Sequence, residues 1–325
     1  MALPESALDF IGNQAGRIRK LGRTQRIVFP EGGDARVIAA AQRLSAEGLA
    51  EPILVTGERA ASDPRLAKYA SILHERRRAK GMTHAEAVQM AGRPLYFGCL
   101  MVAAGDADGF VGGAANSTAD TVRAALHSIG PAANVSTVSS FMLLCVRSRQ
   151  FGHRGVLAIA DPAMVVEPTA VELADITIAT AASVRALLGI EPVVALLSFS
   201  TKGSGKHKKS DLVVEAYRIV QAREPGLHVD GELQADAALV EAIGQSKAPG
   251  STVPGHANTL IFPELNAANI GYKLVERLGE AAALGPFLQG LAKPANDLSR
   301  GCSAEDVYGV ALVTALQAAF AASSR

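Results

Sequence analysis

The chain of 325 residues has no tryptophan, only 5% aromatic residues and three cysteines, Cys99, Cys145 and Cys302. So few aromatic faces argue against a stacking platform for single-stranded nucleic acid. The cysteines are odd in number and widely spaced, with no C-x-x-C pair and no Cys/His ligand spacing. Neither a disulfide framework nor a structural metal site is therefore expected. Net charge is nearly absent too: 32 Lys plus Arg against 31 Asp plus Glu leaves +1. That balance argues against nucleic-acid or membrane-surface partners. No apolar run approaches a membrane span; residues 141–146 have the length of one buried strand. The first twenty residues carry Glu5, Asp9, Arg17, Arg19 and Lys20 without a sustained apolar core. No secretory signal is read there, and a cytoplasmic location is expected. At 49% hydrophobic residues with so little net charge, disorder is excluded.

What is present is alternation. Short β-like runs at residues 26–30, 52–56, 109–111, 155–159, 193–199 and 260–262 are separated by longer Ala-rich helical stretches, the first of them at 34–46. This is the pattern of an α/β protein with buried, mostly parallel sheets, and the length allows two domains. Helix starts are marked where a hydroxyl precedes an acid by three residues: Ser117 and Asp120, Thr169 and Glu172, Ser303 and Asp306. The hydrophilic stretch 201–211 (TKGSGKHKKSD) reads as an exposed loop after a strand.

The usual nucleotide and hydrolase signatures fail. Gly205-Lys206 is followed by His207 where a P-loop needs a hydroxyl, and Lys208 stands where a dinucleotide fingerprint needs its last glycine. No nucleophile elbow and no zincin helix occur. Three small-residue loops remain. Gly112 to Thr118 ends at a helix start with Arg123 beyond it, which suits a phosphoryl or carboxylate group, or is a capped helix whose arginine faces solvent. Ser198 to Gly205, with Lys206 to Lys209 behind it, lies where ligands of α/β sheets bind, or is a solvated loop. Residues 293–306 (KPANDLSRGCSAED) gather a hydroxyl, a guanidinium, a thiol and carboxylates around Gly301. There Asp306 also reads as a plain capping acid, and Cys302 as a small buried filler with no adjacent His to activate it. Residues 75–80 read as a charged helical face, and His153 and His256 as structural.

The run 285–302 (GPFLQGLAKPANDLSRGC) closely resembles the phosphate acetyltransferase (phosphotransacetylase) members of the phosphate acetyl/butyryltransferase family. The likeness extends in order through Val28 to Gly32, Ala107 to Gly109, Ser117 to Arg123, Gly189 to Pro192, Ser200 to Ser204, Asp230 to Gln234 and Phe262 to Ile270. The resemblance implies acetyl transfer between acetyl phosphate and coenzyme A. The small-molecule partners would be acetyl phosphate, phosphate and CoA or acetyl-CoA, with no tightly bound cofactor and no metal. It implies a homodimer of two-domain α/β subunits, each domain a mostly parallel sheet flanked by helices, with the active site in the cleft between them. The expected domains are 1–135 plus 290–325, and 136–289. The family's catalytic pair falls on Ser299 and Arg300, and its proposed base on Asp306. Substrate-site arginines match Arg123 and Arg77, and Ser117, Thr118, Ser200, Thr201, Lys202, Gly203 and Ser204 are the expected substrate-binding residues of the small-residue loops. One departure is clear: Val165 and Glu167 stand where relatives commonly carry Asn.

Transfer of a longer acyl group such as butyryl is a neighbouring alternative. A non-catalytic acetyl-CoA-sensing module, like the similar domain fused to some malic enzymes, is a more distant one. For the enzyme, moving a proton from a thiol of pKa ~8.5 to an Asp of ~3.9 is uphill by roughly 6 kcal/mol. Either burial must raise Asp306 or nearby cations must lower the thiol. Ser299 has no neighbouring base in the sequence, so direct transfer with both substrates bound is expected, with Ser299 donating to the developing oxyanion or to the leaving phosphate.

Overall fold

The computed structural model describes residues 3–323. Ten strands among the described residues are β1 Arg26–Phe29, β2 Glu51–Leu54, β3 Gly109–Gly112, β4 Ser139–Cys145, β5 Val156–Ala160, β6 Val193–Leu197, β7 His228–Leu233, β8 Thr259–Ile261, β9 Ala282–Gln289 and β10 Ala295–Asp297. The chain divides into two compact units. The first comprises Met1–Phe10 and Ser136–Leu284, the second Ile11–Val135 and Gly285–Arg325. The expected α/β class is the one adopted. No helix among the described residues is long and apolar enough to cross a membrane.

In the second unit the strand order is β2-β1-β3-β10, parallel throughout, and β10 meets β9 antiparallel at Asn296 and Phe287. Ile27, Val28 and Phe29 of β1 are fully buried, as are nearly all atoms of β3, because helices cover both faces. The helix Pro94–Ala104 is apolar all round and buried from Leu95 to Val102; proline at its first position starts it and Gly105, with positive φ, ends it. The helix Ala304–Ser323 packs on the helix Ala35–Ala46 and against β1 and β3. The buried Asn296 side chain donates to Thr314 Oγ1 and Gln317 Oε1 of that last helix, satisfying a polar group inside the core.

The first unit is ordered β4-β5-β8-β6-β7, with β4 antiparallel to β5 and the rest parallel. β4 and β5 are buried at every residue, consistent with the unbroken apolar run of β5 and with that of β4 from Phe141 onward. The helix Ala170–Leu188 begins with the expected capping box of Thr169 and Glu172 and ends at Gly189 in the left-handed region. The stretch 201–211 departs from a plain exposed loop: Ser200 and Thr201 are buried, and a helix already begins at Lys208, capped by His207.

Candidate active site

In the second unit, β1 ends at Phe29 and the chain turns at Pro30 and Glu31. The half-buried Glu31 carboxylate accepts the backbone N–H groups of Gly113, Ala115 and Asn116 on Oε1 at 3.1, 2.8 and 3.1 Å, and that of Ala114 on Oε2 at 2.9 Å. Asn116 Nδ2 adds a fifth bond at 2.7 Å. The small-residue loop does bind an anion, but the anion is this chain's own side chain. The amides of residues 113–116 are therefore occupied within the chain. Ser117 caps the helix Thr118–Ser128, and its hydroxyl donates to Asp120 Oδ2 at 2.6 Å.

β10 places Asp297 beside Gly112, and the chain then turns through Leu298, Ser299, Arg300 and Gly301. Ser299 and Arg300 are exposed, and the Cys302 N–H closes the turn on the Ser299 carbonyl at 2.9 Å. Arg36 holds this turn from behind, donating to the carbonyl oxygens of Arg300 and Cys302, each at 2.9 Å, and of Ala114 at 2.7 Å. Asp34 orients Arg36 through two bonds at 2.8 and 3.0 Å, and the Arg36 hydrogen bonds draw the Asp34 carboxyl down to about 2. Asp306 accepts the Ser303 N–H and hydroxyl on Oδ2 at 2.8 and 2.9 Å, so the capping role is real. Burial pushes the Cys302 thiol up to about 11, with Asp306 and Asp34 adding to the rise against the pull of Arg36.

Arg77 ends the helix Leu66–Arg77 and lines an open pocket of about 390 Å³ with Lys80, Met82, Met90 and Arg93. Its Nε is buried without a hydrogen-bond partner among the described residues. Tyr96 Oη lies 3.2 Å from His127 Nδ1, and Arg77 and Arg123 both act on this pair. Burial lowers the His127 pKa, and the two guanidinium charges lower it further. Burial raises that of Tyr96 against the opposing charges of Arg123, Arg93 and Arg77. Arg123 is itself exposed and pairs with Asp120 at 2.7 Å. Three arginines thus surround one neutral hydrogen-bonded pair, which gives an electropositive surface suited to phosphate groups.

In the first unit the Ser200–Ser204 loop is internally satisfied. The buried Glu232 carboxylate accepts Ser200 Oγ and the Gly203 N–H on Oε1, both at 2.8 Å. Thr201 Oγ1 accepts the Gln234 N–H at 2.9 Å, Ser204 Oγ accepts the Thr201 N–H at 3.0 Å, and Lys202 binds Asp230. The divergent segment after β5 is organised the same way: Asp161 accepts Ser140 Oγ and the N–H groups of Ala163, Met164 and Val165. Burial still leaves the Asp161 pKa raised.

Ser299, Arg300, Asp306, Ser117, Thr118, Arg77 and Arg123 all belong to the second unit, and Ser200, Thr201, Lys202, Gly203 and Ser204 to the first. Sequence reasoning gave no role to Arg36, Asp297, Arg93, Tyr96 or His127, and met Glu31 only inside a matching run. An acid directly after a buried strand was the available signal for Glu31. For Arg36 there was none, since a surface arginine of a first helical turn looks like any other. Among the described residues no group of three His, Cys, Asp or Glu is arranged to hold a metal ion.

Residues 13–315 match the family described as Phosphate acetyl/butaryl transferase. The phosphate acetyltransferase of Paracoccus denitrificans is 47% identical over 301 residues, covering 90% of this chain and 95% of that protein. The Acetivibrio thermocellus phosphate acetyltransferase is 44% identical over 312 residues, with 90% and 94% covered. A solved phosphotransacetylase from Streptococcus pyogenes, 43% identical, superposes with a TM-score of 0.88 over 96% of this chain and 98% of that one. With a match across most of its length and relatives this near, the chain belongs to the phosphate acetyl/butaryl transferase family.

Proposed function

We propose that this chain transfers an acetyl group between acetyl phosphate and coenzyme A, by direct attack of the CoA thiolate while both substrates are bound. The carbon–sulfur bond forms as the carbon–oxygen bond to phosphate breaks, and the electron pair leaves on phosphate. Arg300 neutralises charge on the transferring group, and Ser299 donates to the developing oxyanion or the departing phosphate. Asp306 takes the thiol proton through Oδ1, the oxygen its cap leaves open. Arg77 and Arg123 bind the substrates' phosphates. Ser117, Thr118 and the Ser200–Ser204 loop remain substrate-binding segments through their backbone and shape, because the Ser117, Ser200 and Thr201 hydroxyls are already engaged.

The observation that supports direct transfer is the absence of an activated protein nucleophile at the Ser299–Arg300 turn. Ser299 Oγ accepts the Gly301 N–H at 3.3 Å and touches no base, and burial holds the neighbouring Cys302 as a neutral thiol. Purified protein given acetyl-CoA and phosphate is expected to release free thiol; no release leaves the sensing-module alternative. Labelled phosphate is expected not to exchange into acetyl phosphate unless CoA is present. Exchange without CoA would reveal an acetyl-enzyme and overturn direct transfer. Comparing acetyl and butyryl phosphate tests the acyl preference. We also infer a homodimer, tested by light scattering at twice the 33.7 kDa chain mass. In support, the helix Leu265–Leu278 leaves Ile270, Leu274 and Leu278 exposed in one line.

A further inference from the structure

We propose that Asp297 is a positioning residue: its neutral carboxylic acid seats the Ser299–Arg300 turn against the Glu31-bound loop and the first turn of the helix that bears Arg123. The inference rests on the reading of Ser299 and Arg300 as the catalytic pair. Asp297 is fully buried at the end of β10, two residues before Ser299, and among the described residues neither carboxyl oxygen has a hydrogen-bond partner. The backbone of Gly113 lies directly against it, with φ of 105°. A Cβ at Gly113 would run into Asp297 Oδ1 and lie 2.7 Å from the Leu298 carbonyl oxygen, so glycine is required for this close approach. The hydroxyls of Thr118 and Thr121 and the Leu298 N–H face the carboxyl without closing to hydrogen-bond geometry. Three segments of the candidate site therefore meet at one carboxyl group.

An ionised carboxylate there would need several N–H donors. Glu31 has already taken those of Gly113, Ala114, Ala115 and Asn116. A neutral acid needs far less, and suits a dry site beside a second acid. Burial accordingly pushes Asp297 up to about 7, and the Glu31 charge adds to the rise. Among the described residues no other charge is placed to compensate. β3 and β9 carry no titratable side chain, and Asp120 and Arg123 of the neighbouring helix pair with each other. Asp306 is tied to its cap, and Arg36 is spent on Asp34 and three carbonyls. Ionisation thus puts an unsolvated charge beside Glu31, and the segment free to yield is the exposed Ser299–Arg300 turn.

The test compares wild type with Asp297→Asn, which keeps the shape of the neutral acid and cannot ionise. Amide hydrogen exchange of peptides spanning 113–118 and 298–303 is expected to be faster in wild type than in the variant at pH 8, and equal at pH 6. The ratio of variant to wild-type kcat is expected to rise at least threefold between pH 6 and pH 8.5. Equal exchange at both pH values overturns the proposal. So does a folded variant inactive at both, because the carboxylate itself would then be needed. Should the variant fail to fold, wild-type exchange corrected for intrinsic rates decides alone: protection of 298–303 that does not fall between pH 6 and pH 8 overturns it. A wild type with no acetyl transfer at any pH would sink the functional reading, while the exchange comparison would still judge Asp297.

Discussion

Arg36 spends its guanidinium on Asp34 and on the carbonyl oxygens of Ala114, Arg300 and Cys302, so it joins the Glu31-bound loop to the Ser299–Arg300 turn through main-chain atoms. Lysine keeps the charge but lacks the planar fork that reaches several acceptors at once. Arg36→Lys is expected to lower stability by about 1.5–3 kcal/mol, the usual worth of hydrogen bonds to a charged group. It is also expected to lower kcat more than it raises KM, because Ser299 and Arg300 lose their seat; denaturant titration and steady-state kinetics measure the two effects. Arg300 itself is exposed and its side chain is free of any ion pair among the described residues, as a group held for substrate would be. Arg300→Ala is expected to reduce kcat about 10²–10³-fold, the loss typical of a preorganised charge stabiliser. A change confined to KM would reassign it to binding. At this scale the sequence was half legible: Ser299, Arg300 and Asp306 stood in a recognisable run, while Arg36 becomes meaningful only once carbonyls 264 and 266 residues away are brought to it.

The same local device recurs at the ends of several strands. Glu31 after β1, Asp161 after β5 and Glu232 within β7 each turn a carboxylate onto the N–H groups or hydroxyls of a small-residue loop. Such loops carry glycine and alanine because the amides must come close, and the acid supplies the charge that a bound anion would. Glu31→Gln is expected to destabilise the fold by about 1–3 kcal/mol, since its amide NH₂ would face donors that then go unmet. Turnover should fall with it, and the loop's amide exchange should rise more than that of β1. This device also explains which strands were legible. β5, β6 and, from Phe141 onward, β4 announce themselves as unbroken apolar runs, but β7 (HVDGEL) and β10 (AND) carry acids at buried positions. A sequence reading demotes such runs, because buried acids are rare unless partnered. The partners of Asp230 and Glu232 come from loops distant in sequence, which periodicity cannot show, and Asp297 has no hydrogen-bond partner among the described residues. Helix starts depend only on neighbours, and all three hydroxyl–acid pairs formed their caps where expected.

For the molecule as a whole, half-buried Asp34 and fully buried Asp297 set opposing limits on the pH range of stability. Asp34, drawn down to about 2 by its Arg36 hydrogen bonds from an ordinary 3.8, stabilises the fold above pH 3.8 and loses that contribution as pH falls through 2. Asp297 works the other way. Pushed by burial from 3.8 to about 7, it keeps its proton in the folded state over a window where the unfolded chain has released it. Stability must then decline as pH rises from 3.8 to about 7 and level off above, at about 1.4 kcal/mol per pH unit for one proton. The whole window amounts to about 4 kcal/mol. Asn at 297 has no proton to lose, so the variant lacks this slope whatever constant offset the substitution adds. The apparent Tm of Asp297→Asn minus that of wild type is therefore expected to climb by roughly 5–10 °C between pH 4.5 and pH 8. The rise should come from the wild-type melting temperature falling, with the acid-side loss below pH 3.8 common to both proteins. A Tm difference that stays level across that range would mean Asp297 ionises normally inside the fold, and that its carboxylate finds solvation in the second unit despite the capture of the loop amides by Glu31.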